Sequence, residues 1–315
     1  MTVVCMGELL IDFVANESGV TVGEASGFEK KPGGAPANVA VAVARLGMSA
    51  GFMGQVGTDP FGDYLIGVLQ DENVDTSALT QTSEARTMLA FVSLAAEGER
   101  SFMFYRHPSA DMLMTADSMR LDVLDEATAF HFGSITMISE PAKSATLAAA
   151  KAARDKGLFV SYDPNLRRAL WPSDEAAREG MLAGFAYADI VKVSEEELEF
   201  LGGDVEALMT DQTKLIVVTA GAMGATAYLR DGSLVGVTGY SVTPVDTTGA
   251  GDAFVAGLLV GILENTEDEA YLDKTVLQDL LMFANACGAQ ATTGRGAIPS
   301  LPTREQVEAM VSGGA

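Results

Sequence analysis

The sequence contains little cysteine and little histidine, two residues of each among 315. Cys5 and Cys287 both lie in apolar stretches, and no CxxC pair occurs, which excludes a disulfide framework and a cysteine-based zinc site. His107 and His131 are far apart in the chain and belong to no HExxH motif. No zinc site is therefore expected from these residue types.

Positive charge is also scarce. The chain has 20 Lys and Arg residues against 43 Asp and Glu residues, which gives a formal net charge of -23. A field of this sign repels a polyanion, so nucleic acid is not expected as a partner. The acidic residues are spread along the chain and form no tail, which is typical of a solvated surface.

Long apolar runs are absent as well. No run reaches the about 18 residues of a membrane span, and the N-terminus has no basic segment followed by an apolar one. The sequence therefore predicts a cytoplasmic protein without a membrane partner.

Short apolar runs alternate with longer segments of helical spacing, and 48% of the residues are apolar. Continuous apolar strands between helices predict an α/β fold, with a mostly parallel sheet covered by helices on both faces. The predicted strands are residues 3–6, 50–56, 129–133, 158–163, 188–193 and 215–219. The predicted helices are residues 35–46, 61–73, 141–156 and 195–201.

Two segments, residues 13–31 and 87–107, do not fit this rhythm. The second holds two alternating runs around a turn at residues 97–99 and predicts a β-hairpin. Together the two segments predict a small antiparallel sheet, or β lid, beside a main domain of residues 1–12, 32–86 and 108–315. Free edges and outward apolar positions on this lid predict a homodimer that forms through it.

The strongest local signal is the glycine-rich segment DTTGAGDAF at residues 246–254. A strand-like stretch at 240–245 precedes it, and an apolar helix at 253–263 follows. Gly249 and Gly251 permit a tight bend, and the free N–H groups of residues 249–252 then point outward at the positive end of the helix dipole. The segment predicts an anion cradle.

Asp252 lies at the mouth of this cradle, and two interpretations apply. It is either a helix-capping carboxylate, as Asp often is, or a general base that faces a bound phosphate. The concentration of glycine, threonine and a second aspartate favours the base. The helix end is expected to keep Asp252 ionised and weakly basic, which suits phosphoryl transfer because the acceptor hydroxyl loses its proton late.

Familiar phosphate-binding motifs are missing. The sequence has no GxxxxGK[ST] segment and no kinase-type GxGxxG before a VAIK-like lysine. The protein is therefore neither a P-loop enzyme nor a protein kinase.

A second glycine cluster, GGAPAN at residues 33–38, opens the predicted helix 35–46. It is either an ordinary turn with proline near the first helical position, or a site where Gly33 and Gly34 let a polar substrate reach the backbone while Asn38 binds its hydroxyls. Spacing alone does not choose between them.

Taken together, the two glycine clusters resemble the two signatures of the PfkB/ribokinase family of carbohydrate kinases. The first is GGAPANVA at 33–40, and the second is DTTGAGDAFVAGLL at 246–259. The resemblance covers essentially the whole chain. It implies a ribokinase-like fold, in which a central α/β sheet carries a small β lid, and ATP-dependent phosphoryl transfer to a sugar.

Within the family, MGELLIDFV at 6–14, FMFYRHPSADMLM at 102–114 and YDPNLRRALWPS at 162–173 resemble the fructokinase group. This implies phosphorylation of the 6-hydroxyl of D-fructose, with Asp252 as base and Gly249, Ala250 and Gly251 in the anion hole. The implied sugar-binding residues are Asp12, Gly33, Gly34, Asn38, Arg106, Asp111, Asp163, Asn165 and Arg167.

Other functions stay open. A 2-keto-3-deoxygluconate kinase carries a similar DPNxRxxLW stretch, and other sugar or nucleoside kinases share the family signatures. Asp12 and Asp111 favour a neutral polyol over an anionic acceptor. A sensor that binds without turnover is disfavoured because the glycine loop and Asp252 are intact.

The resemblance also implies a nucleotide site and two metal ions. Thr219, Gly221, Gly224 and Asn285 would bind ATP. Lys192 replaces the Asn of the family's NxxE motif and could bind phosphate as a point charge, and Glu195 would hold Mg²⁺ through water. The positions that match the family's K⁺ site are Asp246, Thr248, Ala291, Gly294, Gly296 and Ser300.

Overall fold

The computed structural model describes residues 2–94 and 100–313. Its strands are β1 (Thr2–Met6), β2 (Leu10–Ser18), β3 (Phe28–Gly33), β4 (Ser49–Gly57), β5 (Val74–Asp75), β6 (Leu79–Thr82), β7 (Leu89–Leu94), β8 (Arg100–Tyr105), β9 (Ala129–Gly133), β10 (Phe159–Asp163), β11 (Ile190–Ser194), β12 (Leu215–Thr219), β13 (Ala225–Leu229) and β14 (Leu234–Val237). Its α-helices are α1 (Ala35–Arg45), α2 (Pro60–Asp71), α3 (Ala142–Asp155), α4 (Asp174–Phe185), α5 (Glu195–Phe200), α6 (Val205–Leu208), α7 (Ala250–Glu264), α8 (Lys274–Ala291), α9 (Ala297–Ser300) and α10 (Arg304–Gly313).

The main sheet has the order β14-β13-β12-β11-β10-β9-β1-β4-β5, with β6 beside β4. All pairs from β12 across to β5 are parallel, as is β4 with β6, and only the β12-β13-β14 edge is antiparallel. This confirms the predicted α/β fold with a mostly parallel sheet.

Alternate residues of the central strand β1 enter different cores. Val3 and Cys5 pack with residues of α1, α7 and α8, whereas Val4 and Met6 pack with residues of α3 and α4. Because successive side chains of a strand point to opposite faces, a strand that is apolar at every position needs helices on both sides. The strand composition thus explains the covering by two helical layers.

The small sheet has the order β3-β2-β7-β8. Its outer pairs β2/β3 and β7/β8 are antiparallel, and its central pair β2/β7 is parallel. The two predicted hairpin strands are confirmed, while the turn predicted at 97–99 lies outside the described residues. Phe13, Phe28, Phe91 and Tyr105 form a chain of ring contacts along one face of this small sheet.

The prediction around the glycine-rich segment is wrong in two details. No strand forms at residues 240–245, where Pro244 cannot donate a ladder hydrogen bond and the N–H of Val245 instead donates to the carbonyl of Thr292. Helix α7 begins at Ala250 rather than at residue 253, because Gly249 adopts the left-handed conformation (φ 81°) that turns the chain directly into the helix.

Two further features bear on the site. None of the helices in residues 2–94 and 100–313 is both long enough and apolar enough to cross a membrane. The single tryptophan, Trp171, is buried against Gly180 of α4, and its neighbour Leu170 packs on a small cluster of Leu10, Met88 and Ala90 at the base of the small sheet.

Candidate active site

Two helices, α1 and α7, pack against each other and begin close together. Each follows a glycine with positive φ, Gly34 (116°) before α1 and Gly249 (81°) before α7. In the first turn of each helix stands one polar side chain, and these two meet, because Asn38 Nδ2 donates to Asp252 Oδ2 over 2.7 Å. The two predicted glycine signatures are therefore one site in space.

The start of α7 presents backbone donors. Its first intrahelical bond runs from the N–H of Ala253 to the carbonyl of Gly249, so the N–H groups of Gly251 and Asp252 precede the helical ladder. The N-cap residue of this helix is Gly249, which has no side chain to cap the helix end. Residues 249–251 are partly accessible to solvent, and the side chain of Lys192 lies beside Gly251. This arrangement can bind an anion.

Asp252 is 7% exposed. Burial raises the pKa of its carboxyl above the ordinary aspartate value, and the Asn38 hydrogen bond and the charges of Arg167 and Lys192 offset only part of this effect. The expectation of a weak base rested on the helix end alone. In the folded chain burial raises the pKa of this carboxyl, so Asp252 is a stronger base than an exposed aspartate.

The start of α1 is different, because the protein fills it with its own carboxylate. Glu8 Oε1 accepts the N–H of Ala35 over 2.9 Å, and Glu8 is 2% exposed. A Cβ on Gly34 would lie 2.3 Å from the carbonyl oxygen of Glu8, so only glycine fits. Glu8 is not among the residues predicted from the sequence. Its signal was an acid placed directly after the apolar strand β1, between Gly7 and Leu9.

The charge of Glu8 is sensitive to its surroundings. Burial raises the pKa of its carboxyl to about 7, against the lowering effect of backbone hydrogen bonds, including that of Ala35. Asp111 raises this pKa further and Arg167 lowers it. The Glu8 carboxylate therefore interacts with charges from two other segments predicted to bind sugar.

One acceptor atom in this region has no protein partner. Asn38 is 4% exposed, and its Oδ1 is buried without a hydrogen bond while its Nδ2 is held by Asp252. A buried carbonyl oxygen without a donor is costly. A ligand hydroxyl that donates to Asn38 Oδ1 would remove this cost, which fits the predicted sugar contact.

A buried ion pair lies beside the α7 loop. Asp163 ends β10, Lys192 belongs to the neighbouring parallel strand β11, and Lys192 Nζ lies 3.2 Å from Asp163 Oδ2. Burial raises the pKa of Asp163, only partly offset by Lys192, and the carboxylates of Glu197 and Asp252 raise it further. The same carboxylates outweigh the opposing effect of burial and raise the pKa of Lys192, which keeps the ammonium charged.

The segment after β10 carries the other predicted residues of this group. Asn165 has a positive φ of 47°, donates its N–H to Asp163 Oδ1, and accepts Arg167 through its Oδ1 over 2.7 Å. This segment and α5 enclose a cavity of about 590 Å³. Its charged lining residues are Arg167, Arg168, Lys192, Glu196, Glu197 and Glu199.

The structure does not bring Glu195 to this cavity. Glu195 is exposed at the first turn of α5, while Glu197 is buried and accepts the N–H groups of Leu166 and Ser194. Of these two glutamates, only Glu197 lies at the cavity. The run of three glutamates hid this distinction, because only helix geometry decides which of them faces inward.

On the lid side, Asp12 of β2 packs against Gly33 of β3 so closely that a Cβ on Gly33 would lie 2.3 Å from Asp12 Oδ2. Arg106 and Asp111 form a fully buried ion pair with an Nη2–Oδ2 distance of 2.9 Å, and Arg106 also donates to the carbonyl of Ile135. The two residues predicted to bind sugar from the lid side thus pair with each other, and their charges are satisfied largely within this pair.

The predicted nucleotide residues form a second group. Gly224 packs against the carbonyl of Val237, and Asn285 of α8 donates weakly to the carbonyl of Thr238 over 3.4 Å. The segment at 236–242 therefore joins the loop of Gly221 and Gly224 to α8, and Thr219 leads into that loop from β12. A cavity of about 960 Å³ adjoins this segment, between α8 and α10.

Most of the residues matched to a cation site also come together. Asp246 Oδ1 accepts the N–H and hydroxyl of Thr248, and its Oδ2 accepts the N–H of Gly296 over 2.9 Å. Ser300 packs on Gly294 and donates to the carbonyl of Gly296. Ala291 ends α8 nearby in the chain. Backbone and hydroxyl oxygens with one carboxylate suit a hard cation.

Comparison with known proteins agrees with this geometry. A family model described as pfkB family carbohydrate kinase matches residues 1–304. The chain is 51% identical over 313 residues to a probable chloroplastic fructokinase-6 of Arabidopsis thaliana, with 97% of this chain and 81% of the relative covered. A fructokinase from Xylella fastidiosa with bound ATP superposes with a TM-score of 0.91 at 36% identity, covering 99% and 98% of the two chains.

A further solved relative is a fructokinase double mutant from Vibrio cholerae O395 with bound fructose, ADP and potassium. It has a TM-score of 0.86 and 37% identity, and 98% of each chain is covered. The match in sequence and in fold over almost the whole length shows that this chain belongs to the pfkB family of carbohydrate kinases and is a sugar kinase.

Proposed function

We propose that the protein transfers the γ-phosphoryl group of ATP to the 6-hydroxyl of D-fructose and releases fructose 6-phosphate and ADP. The observation that carries this proposal is the buried Asp252, which is bonded to Asn38 beside the open amides of α7. The fructokinases among its relatives support the choice of acceptor and of nucleotide.

In the proposed reaction, the oxygen of the sugar hydroxyl forms a bond to the γ-phosphorus while the bond from that phosphorus to the bridging oxygen of ADP breaks. Asp252 accepts the hydroxyl proton and orients the oxygen in line. We assign the anion hole that stabilises charge on the moving phosphoryl group to the amides of Gly249, Gly251 and Asp252. The N–H of Ala250, predicted as a further donor, instead donates to the carbonyl of Thr247 over 3.3 Å.

Acceptor choice follows from charge. We assign sugar hydroxyls to Asn38, the Gly33–Gly34 turn and Asp12, with Asp163, Asn165 and Arg167 towards the phosphate. The carboxylates of Glu8 and Asp12 lie on this side of the site and favour a neutral sugar over the anionic 2-keto-3-deoxygluconate, whereas Arg106 balances the charge of Asp111. That acid, or a nucleoside, is the alternative acceptor. The Arg106–Asp111 pair borders the pocket from the lid side.

We place the nucleotide between the loop of Thr219, Gly221 and Gly224 and the Asn285 side of α8. Lys192, next to Gly251, would meet the phosphates as a buried cation. Mg²⁺ supplies charge neutralisation on the triphosphate when bound, and Glu197 is the carboxylate of α5 that could hold it through water.

The cation loop has a separate role. K⁺ held by the oxygens of Asp246, Thr248 and Ser300, and by backbone carbonyls of residues 291, 294 and 296, would fix the entry into α7. It would contact no substrate. The potassium-bound relative supports this assignment.

The small sheet supports two proposals. Its segments 13–31 and 87–107 would close over the sugar as a lid. Its aromatic face, with Tyr105 59% and Met103 41% exposed on the edge strand β8, would pair with the same face of a second copy. Replacing both residues with lysine is expected to give a monomeric mass by light scattering, where the native chain gives a dimer. The cytoplasmic location stays a prediction.

The test of the function combines one variant with a panel of acceptors. Native protein in a coupled ADP assay should turn over fructose faster than ribose, 2-keto-3-deoxygluconate or adenosine. Asp252→Asn should lower kcat by about 10³-fold, the middle of the range for a general base, and still bind ATP in calorimetry. Near-native turnover by Asp252→Asn would overturn the assignment of the base.

A further inference from the structure

Glu8 is a buried carboxylate that the proposed reaction does not use. It follows β1, on the loop to the lid strand β2, and its Oε1 accepts the first N–H of α1, from Ala35, over 2.9 Å. The adjacent Gly34 lies directly against the backbone carbonyl of Glu8. Side chain and main chain of one residue therefore clamp the turn that begins α1.

This clamp continues to the proposed base through two more bonds. The N–H of Asn38 donates to the carbonyl of Gly34 over 2.9 Å, which fixes the first turn of α1. From that turn the Asn38 side chain donates to Asp252 Oδ2 over 2.7 Å. A displacement of the Gly34–Ala35 turn would thus move both the free Asn38 Oδ1 and the donor that orients Asp252.

The same carboxylate interacts with the charges of Asp111 and Arg167, which come from the lid side and from the segment after β10. Glu8 thus contacts the turn that begins α1 and lies within electrostatic range of two further segments assigned to the acceptor. The nucleotide loop around Gly221 and Gly224 is not among them.

We propose that Glu8 is a positioning residue for the sugar half of the site. It holds the Gly34–Ala35 turn, and through it Asn38, in the geometry that binds the acceptor and aims Asp252. This inference rests on the proposed function, since the acceptor assay uses fructose.

The experiment compares Glu8→Ala, Glu8→Gln and a matched control, Glu72→Ala. Glu72 follows α2 and pairs with Arg45 in the last turn of α1, with an Nη2–Oε1 distance of 2.6 Å. Its loss therefore removes a carboxylate from the opposite end of α1. Steady-state kinetics with fructose and ATP, thermal unfolding, and hydrogen exchange of the peptide covering residues 33–40 are measured for each.

Glu8→Ala is expected to raise the KM for fructose and to lower kcat, each by about tenfold, while the KM for ATP changes by less than about twofold. Its peptide 33–40 should exchange faster. Glu8→Gln should recover most of the loss, because its amide oxygen still accepts the Ala35 N–H. Glu72→Ala should lose stability with unchanged kinetics.

Kinetics of Glu8→Ala within about twofold of native, or equal rises in both KM values that follow the loss of thermal stability, would overturn the proposal. If Glu8→Ala does not fold, Glu8→Asp withdraws the oxygen by one methylene and is judged by the same criteria. Failure of the proposed function is distinguishable, because the native chain would then phosphorylate no fructose, while the exchange of peptide 33–40 still tests the clamp.

Discussion

The starts of α1 and α7 show how one structural element serves two purposes. Both helices follow a glycine with positive φ, both lie in the same core, and their first turns meet at Asn38 and Asp252. At α1 the protein's own Glu8 accepts the leading N–H, whereas the N-cap residue of α7, Gly249, has no side chain that could do so. The start of α7 suits an anion such as a phosphoryl group, and in the proposed function the start of α1 would support neutral hydroxyls.

The largest effect after loss of the base is expected from Gly249→Ala. A side chain at φ 81° costs about 1–2 kcal/mol, and its Cβ would lie 3.0 Å from Ala297 Cβ, so the amides of α7 must shift. We expect kcat to fall about 100-fold, as for the loss of an anion-hole donor, with little change in the KM for fructose.

Gly34→Ala tests the start of α1 in the same way. Its added Cβ would collide with the Glu8 carbonyl, so we expect this variant to have a higher KM for fructose and a lower melting temperature. Gly67→Ala is the control: this glycine lies within α2, and an added Cβ meets no atom within 4 Å. It should leave the kinetics unchanged. Equal kinetic effects of Gly249→Ala and Gly34→Ala would contradict the division of labour between the two helix ends.

Lys192→Met tests the cation beside the open helix end. It removes the charge next to Gly251 and leaves the buried Asp163 without its partner. We expect the KM for ATP to rise and kcat to fall by about tenfold or more. The double variant Lys192→Met/Asp163→Asn removes the unpaired carboxylate and should regain thermal stability without activity. Recovery of activity in the double variant would show that Lys192 acts only by neutralising Asp163.

The pH dependence of kcat/KM for fructose reports the pKa of Asp252. Because burial raises its pKa, kcat/KM for fructose should begin to fall on acidification at a higher pH than an ordinary aspartate would give. The folded chain binds this proton more tightly than the unfolded chain, so stability gains from Asp252 as the pH falls through its pKa. Asn38→Ala removes a bond that lowers the pKa and should move the acid limb to higher pH. If the acid limb of the Asn38→Ala profile stays at the native pH, this limb does not report the ionisation of Asp252.

The smallest effect concerns the cation loop. Turnover should be several-fold faster in KCl than in tetramethylammonium chloride at equal ionic strength, because the entry into α7 is fixed by the oxygens around Asp246. Asp246→Asn should reduce this difference. The KM for fructose, which depends on the α1 side, should not follow the salt. Equal turnover rates in the two salts would show that K⁺ does not support the reaction.

The sequence predicted the parallel sheet and both glycine signatures because these depend on local patterns. Apolar runs report burial, and Gly249 reports a backbone that only glycine adopts without strain. The stretch 240–245 has strand-like composition but finds no neighbouring strand, and pairing partners are not local information.

The direction of individual side chains and the contacts between distant segments could not be predicted from the sequence. Among Glu195, Glu196 and Glu197 the inward-facing residue depends on where α5 begins. The role of Glu8 depends on a hydrogen bond from the N–H of Ala35, 27 residues later in the sequence, which only the fold reveals. The raised pKa of Asp252 likewise depends on the fold, because it results from burial, which the side chains of Asn38, Arg167 and Lys192, far away in the sequence, offset only in part.

The position of Trp171 gives the molecule a built-in optical reporter. The only indole of the chain is packed on α4 four residues after Arg167, and the adjoining Leu170 touches the base of the small sheet. The tryptophan fluorescence of the protein therefore comes from a single place, between the segment after β10 and the small sheet. Movement of that segment on binding sugar or nucleotide can be followed in real time without a label.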